Sequence, residues 1–288
     1  APQGARKIVL AGNPNSGKSV FFNFLTGLYV DVSNYPGTTL EISSGRFGAD
    51  VVMDTPGVYG LSSFNDEERI ARDIILGADI VINIVNAVNL ERDLFLSQQI
   101  IDTGVPVLVV LNMMDEVERR GLAIDMRKLS ELLGAPVFPA VAVRKKGLDT
   151  VRDNIYRAIP GNSTPGLPDF TANPASFPGN RGEALLYLEG DKVISERYGL
   201  PPVDFQEEIY RRRREWINGV VQQVLTIGEP KPTAADFLSG LMLHPWAGWL
   251  ILAGALWGMY RFIGVFIAGT VVNLTEKTIM AGQYEPFI

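Results

Sequence analysis

The sequence predicts an α/β fold: a mostly parallel sheet with helices on both faces, followed by a small all-α domain and one transmembrane helix. Three observations carry this. Short apolar runs of strand length alternate with stretches of helical spacing over residues 1–160. Residues 181–228 hold many helix formers and no strand signal. Beyond residue 236 the composition turns sharply apolar.

Arg6–Ala11 holds the run IVLA and ends at Gly12, as a buried parallel strand does. The spacing of Val20, Phe21, Phe24 and Leu25 predicts a helix over Ser16–Leu28. Asp50–Asp54 reads as the next strand and Asp66–Leu76 as a charged helix. Ala78–Val85 is a strand, Asp93–Thr103 a helix closed by Gly104, and Val105–Leu111 another buried strand. An amphipathic helix is predicted over Leu122–Leu133, ending at Gly134. A short strand at Ala135–Val141 and a helix at Leu148–Ile159 complete the series. Such alternation is most economically folded as a parallel sheet covered on both sides.

This defines a first domain at 1–160. Residues 161–180 are rich in proline and read as a linker. Two or three helices are expected at 181–228, within a helical domain at 181–235. Within them Arg211–Arg214 reads most simply as a solvated helix face, the sharper alternative being contact with anionic lipid. Residues 236–288 read as a membrane part. Trp246–Tyr260 and Phe262–Leu274 carry no charge, and only Arg261 interrupts them. At about 1.5 Å per residue such a stretch reaches roughly 43 Å, beyond the roughly 30 Å of a bilayer core. A span is therefore expected at 246–274, with a lipid bilayer as partner. Arg261 is costly in lipid and implies neighbouring helices, a tilted span or a water-filled cavity.

Composition excludes several function classes. The net charge of −6 gives no general pull toward nucleic acid, and none is expected as a partner. The absence of cysteine rules out disulfide frameworks, thiolate metal sites and cysteine nucleophiles. The single histidine, His244, leaves a zinc site or a Ser–His triad without its residues. Beside Pro245, at the edge of the apolar segment, it reads as an interfacial residue. The opening APQGARKIVLAG reads as a cytosolic start rather than a signal peptide.

The chemistry is concentrated in a few motifs. Gly12-Asn13-Pro14-Asn15-Ser16-Gly17-Lys18-Ser19 fits the phosphate-binding pattern G-x-x-x-x-G-K-[ST]. Its glycines let backbone N–H groups face phosphate oxygens, and the helix beginning here, through Val20, adds its positive end. Lys18 is expected at the β- and γ-phosphates and Ser19 at Mg²⁺. Asp54-Thr55-Pro56-Gly57 closes a strand downstream. Alone it would often be a β-turn. After a phosphate loop, Asp54 becomes a Mg²⁺ holder and the Gly57 N–H a γ-phosphate contact. Asn112-Met113-Met114-Asp115 closes another strand. A carboxylate at Asp115 accepts the N1 and N2 protons of guanine, which adenine does not offer. GTP and GDP are thus the expected ligands, and an ATPase is disfavoured. Asn112 would hold the base and the neighbouring loops. Gly37, Thr38 and Thr39 lie between the loop helix and Asp54, where a threonine hydroxyl can join Mg²⁺ only when a γ-phosphate is present. Without the other motifs, that stretch would read equally well as a plain turn at Pro36-Gly37.

The ordered set GNPNSGKS, NYPGTTLE, DTPGVYGLS and NMMD resembles the cytosolic part of FeoB-type ferrous iron transporters, and the apolar stretch from LMLHPWAG resembles their first membrane span. The resemblance implies a P-loop GTPase-like domain, a helical domain that strengthens GDP binding, and the start of a polytopic permease. It implies a prokaryotic inner membrane with residues 1–235 on the cytoplasmic side. Fe²⁺ would be the transported ion and the remaining permease helices partners, with a small accessory protein and a homo-oligomer as further partners the family admits. Carried over, Thr39 is the switch threonine, and Asn15 is associated with a K⁺ ion beside the phosphates. The loop expected to touch the base is Val141-Ala142-Val143. It has Ala142-Val143 where the family usually has Ser-Ala or Ser-Thr.

Val58 stands where many GTPases place a water-positioning glutamine. Its apolar side chain cannot orient water, so hydrolysis is expected to be slow, with Asn15, Lys18, Thr39 and Gly57 as the catalytic set. Glu67 and Glu68 are candidate polar helpers, though solvated helix-start carboxylates are the simpler reading. The functional expectation is a GTP-dependent control module of a transporter. The alternative is a membrane-tethered switch that binds a partner without transport.

Overall fold

The computed structural model describes residues 4–27, 30–34, 41–62, 66–167, 177–229 and 234–271. The chain divides into two compact units, 1–230 and 231–288. The strands among the described residues are β1 (Lys7–Ala11), β2 (Val30–Asn34), β3 (Glu41–Phe47), β4 (Asp50–Asp54), β5 (Ile80–Asn86), β6 (Val107–Asn112), β7 (Leu122–Ile124), β8 (Val137–Pro139) and β9 (Leu225–Ile227). Seven of them form one sheet in the order β2-β3-β4-β1-β5-β6-β8. The β4-β1-β5-β6-β8 part is parallel, and β2 and β3 pair antiparallel at its edge.

The apolar runs of β1, β5 and β6 are buried on both faces, as parallel strands under two helix layers must be. One face packs Ile8, Leu10, Ile82 and Leu108 against Phe21 and Phe22 of α1 (Lys18–Thr26) and Val151 of α6 (Leu148–Asp153). The other packs Val9, Val81, Val107 and Val109 against α2 (Asp66–Leu76), α3 (Leu90–Asp102) and α5 (Met126–Leu133). Between β6 and β7 lies α4 (Met114–Arg119).

The predicted strands and helices of the first domain are present, with three differences. The hairpin β2–β3 has no counterpart in the sequence reading, because its residues mix polar and small side chains (VDVSN, EISSGRF) and it is an edge. The helix expected over Leu122–Leu133 is a strand, β7, followed by α5, which Asp125 caps through Lys128 N–H at 2.9 Å. The last helix ends at Asp153 and continues as a 3₁₀ turn, Ile155–Arg157.

Residues 181–228 form three helices, α7 (Arg181–Leu188), α8 (Lys192–Tyr198) and α9 (Gln206–Val224). Asn180 and Glu183 make a capping box on α7, and Asp191 caps α8. The expectation of no strand here is corrected by β9, which pairs antiparallel with β7. Part of the proline-rich stretch docks on the first domain, where Asn162 N–H donates to Leu133 C=O at 2.7 Å and Thr164 is buried.

The four consecutive arginines separate around α9. Arg211 pairs with Glu215, and Arg212 with Glu208 and the Gly166 carbonyl. Arg214 reaches the Tyr210 hydroxyl. Arg213 is buried between Asp102 (2.9 Å) and Glu189 (3.0 Å). Helical geometry turns each successive residue by about 100°, so the run makes no single cationic face.

The second unit holds α10 (Ala234–Leu243), α11 (Pro245–Tyr260) and a π-helical stretch, Arg261–Val271. The span expected at 246–274 is corrected here: no helix among the described residues is long and apolar enough to cross a membrane. The 16 residues of α11 reach about 24 Å at ~1.5 Å each, short of the roughly 30 Å core. At Arg261 the hydrogen bonding changes to the i→i+5 pattern. The end of the expected span, from 272, lies outside the described residues. His244 caps α11 through the Ala247 N–H, consistent with a local structural role.

Candidate nucleotide-binding site

The site lies where β1, β4 and β6 present their C-terminal ends, the side on which open α/β sheets bind ligands. Gly12–Gly17 connects β1 to α1. Gly12 has φ 155°, and a Cβ there would fall 2.3 Å from the Ile84 carbonyl oxygen. Gly17 has φ 101°, and its Cβ would fall 2.4 Å from Asn112 Nδ2. Both positions therefore demand glycine. Asn15 takes a left-handed φ of 60°, which asparagine tolerates.

Lys18 folds back over the loop, its Nζ donating to the carbonyls of Gly12 (3.0 Å) and Asn13 (3.2 Å). Burial lowers its pKa, against the opposing pull of Asp54 and Asp93. Ser16 Oγ and Asn13 Oδ1 are buried without partners among the described atoms. Asn13 Nδ2 donates to Asp93 Oδ1 at 3.0 Å, and Asp93 also accepts from the Asn86 N–H at 3.0 Å. Burial holds the Asp93 carboxyl above its usual range. Sequence reasoning missed Asp93, whose only signal is an acidic residue on the apolar side of α3. Val20, at the start of α1, is 37% exposed.

Ser19 Oγ donates to Asp54 Oδ2 at 3.4 Å, while Asp54 Oδ1 is buried with no partner. Burial raises the Asp54 pKa, although Lys18 and the Ser19 hydrogen bond pull it down. Thr55 turns inward, its hydroxyl donating to the Leu10 carbonyl at 2.9 Å. Val58 N–H donates to the Gly12 carbonyl, and the Val58 side chain is buried in the core. Gly57 lies against the loop: a Cβ would stand 2.8 Å from Pro14 Cα. An open cavity of about 550 Å³ is lined by Pro14, Asn15, Lys18, Ser19, Asp54, Thr55, Pro56 and Gly57. Glu41, Ser43 and Glu67 also line it. Glu68 lines a different cavity, with Tyr59 and Tyr210. Gly37, Thr38 and Thr39 lie outside the described residues.

At the other end Asn112 bridges two loops. Its Nδ2 donates to the Ser16 carbonyl (2.8 Å), and its Oδ1 accepts from Ala142 N–H (2.9 Å). The Ala142 N–H is thus engaged by protein, and Val143 stands 83% exposed at the loop tip. Val141 exchanges backbone hydrogen bonds with Lys146, closing this loop. Met113 sits at φ 65° ahead of α4. Asp115, in the first turn of α4, lies 3.5 Å from the Arg144 guanidinium and remains partly exposed. No cluster of three metal-ligating side chains occurs among the described residues.

A glycine-formed phosphate loop at a strand–helix junction, an acidic strand end facing its serine and an N-x-x-D strand end define the class: this is a P-loop GTPase-type G domain with an appended helical domain. Residues 6–155 match the family FeoB_N, ferrous iron transport protein B, and the chain belongs to that family. It is 41% identical over 160 residues to the Fe(2+) transporter FeoB of Salmonella typhimurium, covering 52% of this chain and 21% of that protein. The Escherichia coli K12 transporter matches to the same extent. The chain thus spans about a fifth of the length of the curated relatives it matches. Among solved structures, a GDP-bound mutant of the S. thermophilus FeoB G-domain is 31% identical with a TM-score of 0.67. It covers 77% of this chain, and all of that chain is matched. The GMPPNP form of the T. maritima FeoB cytosolic domain is 30% identical with a TM-score of 0.65, over 77% of this chain and 99% of that one.

Proposed function

We propose that this chain is the GTP-binding and slowly hydrolysing control module of a ferrous iron transporter at a prokaryotic inner membrane. In this reading residues 1–235 face the cytoplasm, and nucleotide state gates Fe²⁺ uptake. The remaining permease helices are partners of the apolar segment after residue 236. The observation that carries the reading is the Asn112 bridge, which joins the phosphate loop at Ser16 to the 141–143 loop, while Asp115 lies 3.5 Å from Arg144 of the same loop region.

Asp115 would accept the N1 and N2 protons of guanine, with Asn112, Met113 and Val141–Val143 shaping the base pocket. Lys18 would exchange its carbonyl partners for phosphate oxygens, and the loop N–H groups would hold the rest. The residues fit Mg²⁺: Ser19 and the orphaned Asp54 oxygen would hold it, with Thr39 joining in the triphosphate state. Bound there, the ion would neutralise β,γ-phosphate charge. Asn15, with its backbone held in the left-handed region at the cavity wall, is the proposed K⁺ contact. Gly57 N–H would meet the γ-phosphate. Buried Val58 orients no water, which supports a low intrinsic rate.

The decisive test is Asp115→Asn. An amide offers a donor where the carboxylate accepted, so preference should pass from guanine to xanthine nucleotides, read by calorimetric titration. Unchanged guanine preference would overturn the assignment. Equal hydrolysis rates in K⁺ and Na⁺ buffers would remove the K⁺ role. Fe²⁺ uptake by the full-length gene in uptake-deficient cells tests the transport reading. Intact GTP binding with no uptake would favour a partner-binding switch.

A further inference from the structure

The two-stranded sheet β7–β9 belongs to no part of the phosphate chemistry, yet it joins two telling places. β7 begins three residues after α4, the six-residue helix whose first turn carries Asp115. β9 follows α9 directly and is the last strand before the chain passes to its second unit.

The connection is continuous in hydrogen bonds. Arg120 N–H donates to the Glu116 carbonyl and Gly121 N–H to that of Glu118, tying the end of α4 to the start of β7. Leu122, Ala123 and Ile124 then pair with Ile227, Thr226 and Leu225. Both ends of the ladder are closed, by Gly228 N–H to the Gly121 carbonyl (2.7 Å) and Asp125 N–H to the Val224 carbonyl (2.9 Å). Gly121 takes a left-handed φ of 69°, so the turn out of α4 is fixed in direction. Leu122, Ile124 and Leu225 pack on the main core, which also holds Val117 of α4. A displacement of β9 thus has a short, hydrogen-bonded route to Asp115, with only the two-residue turn Arg120–Gly121 in between.

We propose that β9 is a coupling strand. Pairing of β9 with β7 holds α4 in the orientation that keeps the guanine base bound, and a pull on the chain beyond Gly228 releases the base end first. Linkage makes this reciprocal: bound GDP strengthens the ladder by the same factor. The proposal rests on the reading of Asp115 as the base contact. It assigns to the base end a line of communication separate from the threonine stretch that would sense the γ-phosphate.

The test uses a reversible staple in the full chain. Antiparallel alternation makes Leu122/Ile227 a pair without mutual hydrogen bonds, the closely spaced kind that suits a disulfide. The chain has no native cysteine, so Leu122→Cys with Ile227→Cys gives one defined pair. Release of a fluorescent GDP analogue should be at least threefold slower oxidised than reduced. The ratio should shrink for inosine diphosphate, which lacks the 2-amino group offered to Asp115. As the opposite perturbation, Thr226→Pro removes one ladder donor and should speed GDP release severalfold. Equal release from the oxidised and reduced staple overturns the proposal, as does slowing that is the same for both nucleotides. The Asp115→Asn titration fails or succeeds independently, so loss of guanine preference as the site's basis is told apart from loss of the coupling.

Discussion

At the scale of single residues, the candidate site holds two charged groups that burial disfavours. Asp54 is pushed up and Lys18 down, both chiefly by burial. A carboxyl whose folded pKa is raised contributes stability below its unfolded value, and that contribution is lost as pH rises through the folded value. Wherever Asp54 is ionised, its burial therefore burdens the nucleotide-free fold. Asp54→Asn is expected to raise the neutral-pH melting temperature of the free protein and to flatten its fall between pH 4 and neutrality. The same change should weaken Mg²⁺–nucleotide binding at least tenfold. Melting curves across pH, with a parallel titration, check both. Gly17→Ala is predicted to cost about 1–3 kcal/mol through its left-handed φ. It should also displace Asn112, whose Nδ2 the new Cβ would meet. Chemical denaturation and nucleotide titration should move together for this variant. An Ala variant with wild-type stability would contradict the geometry.

At the scale of elements, the helical domain is fastened to the G domain by a buried ionic knot. Asp102 of α3 accepts from Arg213 of α9 and from the Thr164 hydroxyl (3.0 Å), and Arg213 also reaches Glu189, which accepts from Ser62 (2.7 Å). Burial alone would lower the Arg213 pKa; Glu189 and Asp102 outweigh it and hold it above its usual value. Removing one partner of such a knot strands the others in a dry interior. Arg213→Ala is therefore expected to cost about 3–5 kcal/mol, measured by urea denaturation. Arg211→Ala, whose pair is exposed, should cost less than about 1 kcal/mol. Ser62 lies five residues beyond Gly57, so the knot also anchors the segment after the Asp54 turn to α9's neighbourhood. The sequence offered four equivalent arginines; only the helical rotation and the position of Asp102 single out the third.

At the scale of the whole molecule, residues 1–230 form a compact unit with its own core, and the apolar segment follows as a second. A chain ended at Pro230 is expected to fold, melting within a few degrees of the full chain and retaining nucleotide binding. A collapse of either would show that the second unit supports the first. Much of this was legible beforehand. Buried parallel strands write themselves as apolar runs, and a phosphate loop needs glycines at fixed spacing, so β1, β5, β6 and Gly12–Ser19 could be read residue by residue. The edge hairpin β2–β3 could not, because an edge strand needs no apolar pattern to be satisfied. Nor could β7 and β9, three-residue strands whose pairing depends on two segments a hundred residues apart meeting. The apolar tail was legible as apolar, but its division at Arg261 into α- and π-helical parts was not, since hydropathy carries no backbone geometry. The sequence by itself determined the sheet's centre and the glycines of the phosphate loop, because local backbone demands dictate them. The tertiary structure alone decided that Asp93 stands at the site, that Glu67 rather than Glu68 lines its cavity, that Arg213 is buried, and that β9 pairs with β7, because each depends on long-range packing that no local pattern records.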